Sequence, residues 1–389
     1  MSELRGVIEC EIRERGPIPF ARYMELSLYY PELGYYSRNA AQFGKAGDFY
    51  TSSDVHAVFG RLLARQFDEM WRISGSPETI VVRELGPGRG LFAQDVLDWA
   101  EKKFPEFFQA SRYELLEQSP ALRERIAETL KRHIWAGKAA LAAKSPLLAA
   151  ENAAKNGALK DFALRHEPAT IVFANEFFDA LPVAIVSDRG SLRIDSRDGR
   201  FVETWVSPSP EELEFLDRYS IHPSEGERVE VALQAQQEIF AATNFERGFV
   251  VVIDYGFTRE EQLAGRHIGT IKAIRRHSVS ANAYEAPGQQ DITADVNFTA
   301  LAASLEKRGF HAQKLITQSQ FLMGIGEANQ FADAFEECRL PQERTKVALQ
   351  LKHLVTPAGM GESFHVLVAS KGIAAEKVSS MAGLNFGRR

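Results

Sequence analysis

Ile80-Val81-Val82-Arg83-Glu84-Leu85-Gly86-Pro87-Gly88-Arg89-Gly90 reads as a β-rich apolar run that ends in an acid and then in three glycines at every second position. The residues after it, Leu91-Phe92-Ala93-Gln94-Asp95-Val96-Leu97, suit a helix. Glycines so spaced let backbone come within contact distance of a ligand where any Cβ would collide. A dinucleotide fingerprint needs G-x-G-x-x-G, and counting from Gly86 puts Leu91 where its last glycine belongs. An acid followed by G-x-G-x-G instead fits a loop that holds the amino-acid end of S-adenosylmethionine. That ligand carries a sulfonium, an ammonium and a ribose diol but no phosphate, so carboxylates suit it better than an anion hole. Glu84 then faces the amino-acid portion, and Gly86, Pro87, Gly88 and Gly90 form the cradle. Glu117, at the end of the next apolar run, is placed to accept hydrogen bonds from both ribose hydroxyls. The plain alternative for Glu117 is a solvent-facing acid in a first helical turn.

Outward from this loop, short apolar runs at 79–82, 113–116, 170–174, 249–253 and 365–369 alternate with helical stretches. Such alternation implies an α/β fold with a largely parallel sheet covered on both faces, and ligands at the carboxyl ends of its strands. Four runs end in polar or glycine-containing segments, and the strand ends at Glu84, Glu117, Ala174 and Asp254 are expected to border one cleft. Ser119-Pro120 also has the chemistry of an N-cap followed by proline at the first helical position. Residues 1–75 read as an N-terminal helical, aromatic-rich cover and 76–183 as the first part of the core, with an Ala/Lys-rich helical insertion at 136–166. Residues 184–247 read as an inserted cover, with turns at Asp188-Arg189-Gly190 and Asp198-Gly199 and a helical stretch near 229–240. The second part of the core spans 248–375, and 376–389 is a C-terminal tail.

A second cluster, Ala174-Asn175-Glu176-Phe177-Phe178-Asp179-Ala180-Leu181-Pro182, follows the run at 170–173. Two carboxylates and an amide beside two aromatic rings suit a cationic substrate. Glu176 and Asp179 are the candidate catalytic acids, and Asn175 is placed to orient substrate or to hold the cofactor's ammonium. The bland reading is a helix start with acids near its positive end and Phe side chains in the core. Weaker candidates are the segment 44–52, whose Gly47, Thr51 and Ser52 suit a lid over the cofactor, and Asp254 in Asp254-Tyr255-Gly256. His277 and the Asp291-Ile292-Thr293 stretch complete the set. A lone histidine is more often structural, and turns commonly use the same residues as the 288–296 segment.

Composition narrows the partners. The net charge of −6 and the absence of a dense basic block argue against nucleic acid. Cys10 and Cys338 are too few and too distant for a disulfide framework or a zinc site, so no metal is expected. The longest apolar stretches fall far short of the roughly 20 residues that span a bilayer. Glu3, Glu9, Glu11 and Glu14 make residues 1–16 an amphipathic helix rather than a secretory or transit peptide, which favours a bacterial cytoplasm over a mitochondrial matrix.

The chain resembles the MidA group of methyltransferases, relatives of a mitochondrial complex I assembly methyltransferase. The resemblance runs in order through Gly47-Asp48-Phe49-x-Thr51-Ser52, Glu84 to Gly90, Ala174 to Pro182, Asp254-Tyr255-Gly256, Gly269-Thr270, His277 and Pro287-Gly288-x-x-Asp291-Ile292-Thr293-Ala294-Asp295-Val296-x-Phe298. It implies a class I, Rossmann-like methyltransferase sheet of seven mostly parallel strands with S-adenosylmethionine as cofactor. For its mitochondrial members it also implies a protein arginine substrate in a respiratory complex I subunit. Ser53-Asp54 and Ala184 depart from the usual pattern; the first is conservative, and the second is a position at which the substrate mouth can differ from that of relatives. A protein substrate, with a homodimer as a further association, is the partner expectation. The alternatives are methylation of another protein side chain or a small molecule, and a non-catalytic assembly factor that keeps the fold. Intact Glu84, Gly86, Gly88, Gly90 and Glu117 argue against a dead cofactor site.

Overall fold

In the computed structural model, the described residues are 3–38, 57–142, 168–275, 278–280 and 282–387. Six strands carry the core: β1 (Ile80–Leu85), β2 (Ser111–Leu116), β3 (Ala139–Leu141), β4 (Ala169–Asn175), β5 (Gly248–Phe257) and β6 (Phe364–Lys371). They lie in the order β3-β2-β1-β4-β5-β6. The first five are mutually parallel, and β6 runs antiparallel to β5. Beyond β6 the seventh position is shared by two short pieces, His311–Ala312 and Ile316–Thr317, both antiparallel to β6. Between them the Gln313 N–H still donates to the Val368 carbonyl at 2.8 Å, so the break leaves the edge partly paired.

Central strands of a sheet covered on both faces are apolar throughout, and in β4 every residue but Asn175 is buried. Phe173 stacks on Phe92 of helix Leu91–Lys103 with ring centroids 4.5 Å apart, and Phe67 of helix Ala57–Ile73 meets Phe173 edge-on. The opposite face is covered by helices Leu233–Ala242 and Phe298–Lys307 through Ile239, Leu301 and Leu305. Fully burying one such side chain contributes about 1.5–3 kcal/mol. The parallel register pairs Leu85 with Leu116 and Ala174, and Asn175 with Ile253. The four strand ends singled out from sequence therefore lie along one edge.

Strands Ala184–Ser187, Gly190–Arg197, Arg200–Val206 and Arg228–Val231 form a separate antiparallel sheet, which Ile18–Pro19 joins through Arg193 and Ile194. The Asp198-Gly199 hairpin turn has both residues at positive φ, 50° and 69°, the geometry that matches the right-handed twist of the flanking strands. Helices Glu3–Arg15 and Phe20–Tyr29 bury Leu4, Ile8, Tyr23 and Met24 against Ile185, Leu192 and Ile194 of this sheet. The N-terminal stretch thus serves two layers: residues 3–38 belong with the cover, whereas helix Ala57–Ile73 packs on the core sheet.

Two local expectations are corrected. The described start of the supposed helical insertion, at 139–141, is β3: its alanines carry no strand signal, yet the segment pairs in parallel with Tyr113, Glu114 and Leu115. Residues 143–167 lie outside the described residues. The helical stretch expected from 229 begins only at Leu233, because Val229-Glu230-Val231 alternates as a strand and pairs with Ala184–Val186. The C-terminal segment is docked rather than loose, with Val378 and Met381 buried. There the Ala382 and Gly383 N–H groups donate to Glu69 and Gln66 at 3.0 Å each. Among the described residues no helix is long and apolar enough to cross a membrane.

Candidate active site

β1 leads into a loop whose three glycines are all left-handed, Gly86 at φ 65°, Gly88 at 54° and Gly90 at 76°. They differ in what a side chain would meet. A Cβ on Gly86 would lie 2.6 Å from Phe177 Cδ2, one on Gly90 would meet Ile126 and Leu130 at an ordinary 3.5 Å, and one on Gly88 would point into open space. The loop is held by Gly86 N–H to the Leu116 carbonyl at 3.1 Å and Gly90 N–H to the Pro87 carbonyl at 2.8 Å. The result is a cradle with its walls packed and its middle open at Gly88.

Two buried carboxylates flank the cradle. Glu84 accepts the Tyr113 hydroxyl at 2.9 Å, and burial pushes its pKa up to about 8 against the pull of that phenol. Glu117 accepts the Ser119 N–H at 2.8 Å. Burial raises it to about 7, opposed by the backbone N–H groups of Ser119, Gln118 and Gly88. This carboxylate is buried at the end of β2 and is not the solvent-facing acid of the plain alternative. Ser119 caps helix Pro120–Thr129 by accepting the Leu122 N–H at 3.4 Å. An open-centred glycine cradle with two buried carboxylates beside it, and the Arg123 guanidinium on the Glu117 carbonyl at 3.1 Å, fits a ligand that bears an ammonium, a carboxylate and a diol.

At the end of β4 the chain turns through Glu176, a non-glycine residue at φ 50°. Such a conformation costs about 1–3 kcal/mol and persists only when its surroundings hold it. Here the Glu176 N–H donates to the Ile253 carbonyl at 3.0 Å and Asn175 Nδ2 donates to Glu176 Oε1 at 3.1 Å. Asp254, fully buried on β5, holds the rest of the turn. Its Oδ2 accepts the N–H groups of Phe177 and Phe178 at 3.2 and 3.0 Å, and its Oδ1 accepts that of Tyr255 at 3.0 Å. Burial and the negative charges of Asp179 and Glu176 raise the Asp254 pKa well above its ordinary value.

Asp179 is buried and accepts the Tyr255 hydroxyl on Oδ2, while its buried Oδ1 makes no hydrogen bond of good geometry. Burial raises its pKa to about 6 although the phenol and the nearby backbone N–H groups of Ala180 and Asp179 oppose the shift. The Ala294 N–H donates to the Asp179 carbonyl at 2.9 Å, which brings in the strand Asp291–Thr293. Asp291 Oδ1 accepts the Tyr36 hydroxyl at 2.8 Å. Tyr36 stacks on Tyr29 with centroids 5.6 Å apart, and the Tyr29 hydroxyl donates to the Ala180 carbonyl at 2.9 Å. After burial, the charges of Asp291, Asp179 and Glu117 are the main influences that raise Tyr29, so this ring stands between the two acidic groups.

The structure thus brings Glu84, Glu117 and the glycine loop to one part of the strand edge, and Asn175, Glu176, Asp179, Asp254 and Asp291 to the adjoining part. Gly47, Thr51, Ser52 and His277 lie outside the described residues. Asp254 meets backbone N–H groups with both oxygens, which makes it an anchor of the turn. Sequence reasoning missed Tyr29 and Tyr36, whose only signal was the pair of doublets Tyr29-Tyr30 and Tyr35-Tyr36, and it quoted Tyr255 without giving it a role. Among the described residues no group of three potential metal ligands comes together.

Comparison with known proteins identifies the family. The chain is 29% identical over 409 residues to a Drosophila melanogaster protein named protein arginine methyltransferase NDUFAF7 homolog, mitochondrial, covering 97% of this chain and 87% of that one. It is 27% identical to the Homo sapiens protein arginine methyltransferase NDUFAF7, covering 91% and 80%. A Burkholderia thailandensis protein crystallised with S-adenosyl-homocysteine is 26% identical and superposes with a TM-score of 0.77 over 98% of this chain and 94% of that one. The family described as S-adenosyl-L-methionine-dependent methyltransferase matches residues 62–316, from helix Ala57–Ile73 through the glycine loop and the acidic turn to the split seventh strand, and the chain belongs to it.

Proposed function

We propose that this S-adenosylmethionine-dependent methyltransferase methylates a terminal nitrogen of arginine in a protein partner. The observation that carries the reading is the acidic cluster beside the glycine loop, Glu176, Asp179 and Asp291, in contact with Tyr36 and Tyr255 and backed by the stacked ring of Tyr29. The names of the relatives support the same substrate class. S-adenosylmethionine supplies an electrophilic methyl group. Glu84 and the loop Gly86, Pro87, Gly88 and Gly90 hold its amino-acid end, Glu117 its ribose, and Asn175 orients either the cofactor or the incoming side chain.

Arginine is protonated at any physiological pH, so its nitrogens are poor nucleophiles until charge is localised and a proton leaves. Asp179 Oδ1 can accept an N–H of the guanidinium and draw positive charge toward itself. Glu176, held by Asn175, can accept the proton from the attacking nitrogen. Orientation supplies much of the remaining acceleration. Asp254 acts indirectly by pinning the turn that carries both acids. A respiratory complex I subunit is the first partner to test. The proposed compartment is a bacterial cytoplasm, with the mitochondrial matrix as the alternative.

The test is incubation of the protein with methyl-labelled S-adenosylmethionine and host lysate, followed by mass spectrometry of the labelled product. Label on protein arginine is expected. Label only on another residue type or on a small molecule would overturn the arginine assignment.

A further inference from the structure

Three phenols meet at the acidic slot, and each donates its proton to the protein: Tyr29 to the Ala180 carbonyl, Tyr36 to Asp291 Oδ1 and Tyr255 to Asp179 Oδ2. A hydroxyl has one proton to give. The three rings therefore build a wall whose donors are already committed. Asp179 Oδ1 is the opposite case, a buried carboxylate oxygen that makes no hydrogen bond of good geometry, although the backbone N–H groups of Ala180 and Asp179 stand near the carboxylate. Unmet buried acceptors are rare in folded proteins because nothing replaces the lost water, and each calls for a specific explanation.

Committed donors beside an unmet acceptor define the ligand by chemistry. A group rich in N–H and lacking acceptors satisfies Asp179 Oδ1, whereas a carbonyl brings lone pairs against a carboxylate. The stacked faces of Tyr29 and Tyr36 favour a cation in addition. Guanidinium meets all of these conditions. Its ureido counterpart has nearly the same shape but replaces one nitrogen by a carbonyl oxygen and carries no charge.

We propose that Tyr36 and Tyr255 are positioning residues that lock Asp291 and Asp179 as an acceptor-only slot, which selects guanidinium over the neutral ureido group. This rests on the arginine reading above and adds how selectivity is built, with residue 36 contributed by the N-terminal segment and residue 255 by β5. Among the described residues, the titratable groups that act on Asp179 or are acted on by it include Tyr255, Asp254, Asp295, Tyr29 and Tyr36. Among the described residues, Lys272 stands 5.0 Å from the Tyr255 ring centroid and pairs with Asp295 at 2.9 Å, and His267 Nδ1 meets the same carboxylate at 2.9 Å.

The experiment titrates protein saturated with S-adenosylhomocysteine with acetyl-arginine amide and with acetyl-citrulline amide, for wild type, Y255F and Y36F, across pH. Wild type should prefer the arginine probe by about tenfold or more. Each phenylalanine variant should reduce that preference to within about threefold while its affinity for S-adenosylhomocysteine is unchanged. In Y255F the pH at which acid begins to weaken the arginine probe should move upward, because the phenol that opposes protonation of Asp179 is gone. Equal binding of the two probes to wild type, or a full preference with an unmoved acid limb in both variants, would overturn the inference. The two variants change different elements, so if one loses S-adenosylhomocysteine binding the other alone decides the matter. Failure of the underlying reading looks different. An arginine preference without any labelled protein arginine removes the transfer assignment and leaves the slot, whereas labelled arginine with an unaltered preference in both variants removes the slot alone.

Discussion

The glycines of the loop should separate into those the fold needs and one the cofactor needs. Gly86→Ala places a Cβ 2.6 Å from Phe177 Cδ2 at φ 65°, so the ring and the acidic turn behind it must move. Left-handed strain of about 1–2 kcal/mol and overpacking of about 1–3 kcal/mol combine to a loss of about 2–5 kcal/mol. Gly88→Ala carries the same strain at φ 54° but meets open space, so it should lose only about 1–2 kcal/mol. Thermal unfolding should therefore leave the Gly88 variant within a few degrees of wild type and the Gly86 variant clearly lower. Calorimetry with S-adenosylhomocysteine should show the reverse economy for Gly88, a weakening of at least about tenfold in a protein that remains folded. Undiminished affinity of Gly88→Ala, or a larger loss of stability there than at Gly86, would refute the reading of the open middle as the cofactor's place.

Other expectations follow from the same geometry. Glu117→Ala should weaken S-adenosylhomocysteine by about 1–3 kcal/mol, measured by calorimetry, if that carboxylate meets the ribose. Glu84 has a folded pKa of about 8, above its ordinary 4.5, so near pH 7 it is mostly protonated without ligand. A ligand ammonium at that carboxylate should expel the proton, so affinity should rise from pH 6 to 8 and the binding heat at pH 7 should vary with the buffer's ionisation enthalpy; buffer-independent heat would exclude the contact. Asp254→Asn puts an amide donor against backbone N–H groups and should cost about 1–3 kcal/mol in denaturant unfolding, with turnover reduced through the displaced turn. Glu176→Gln and Asp179→Asn should each slow single-turnover methyl transfer while S-adenosylhomocysteine still binds. Near wild-type rates in both would move the chemistry to Asp291 or His277.

Much of the fold could be read from local pattern because a parallel sheet announces itself. Apolar runs such as 170–174 and 249–253 admit few environments other than a strand buried on both faces, and the glycine loop then orients the edge that matters. What escaped was set by pairing rather than propensity. Ala139-Ala140-Leu141 has the composition of a helix and becomes a strand because β2 offers an unpaired edge with Tyr113–Leu115. Val229-Glu230-Val231 has the strand pattern, but it adjoins a helical stretch and its antiparallel partner 184–187 is distant in sequence, so local pattern alone does not separate the two. The split of the N-terminal stretch between two layers is likewise a tertiary outcome, since Ile18–Pro19 reveals nothing of its partners Arg193 and Ile194.

The candidate site divides along the same line. Residues gathered by one strand end, such as Glu84 with Gly86 or Asn175 with Glu176 and Asp179, were legible because neighbours in sequence share a loop. Residues recruited across the fold were legible only as composition. Tyr36 reaches Asp291 over 255 positions and Tyr29 reaches Ala180 over 151, so their roles exist only once the cover has closed on the core. That long reach has a physical consequence. Helix Phe20–Tyr29 is anchored in the cover by Tyr23 and Met24, both fully buried, and a change that loosens this packing should displace the ring of Tyr29 without touching the glycine loop. Met24→Ala, which costs about 2–5 kcal/mol where a buried methionine is lost, should therefore lower binding of an arginine probe more than binding of S-adenosylhomocysteine. Parallel loss of both would mean that the cover supports the whole edge and that no part of the slot depends on the N-terminal segment by itself.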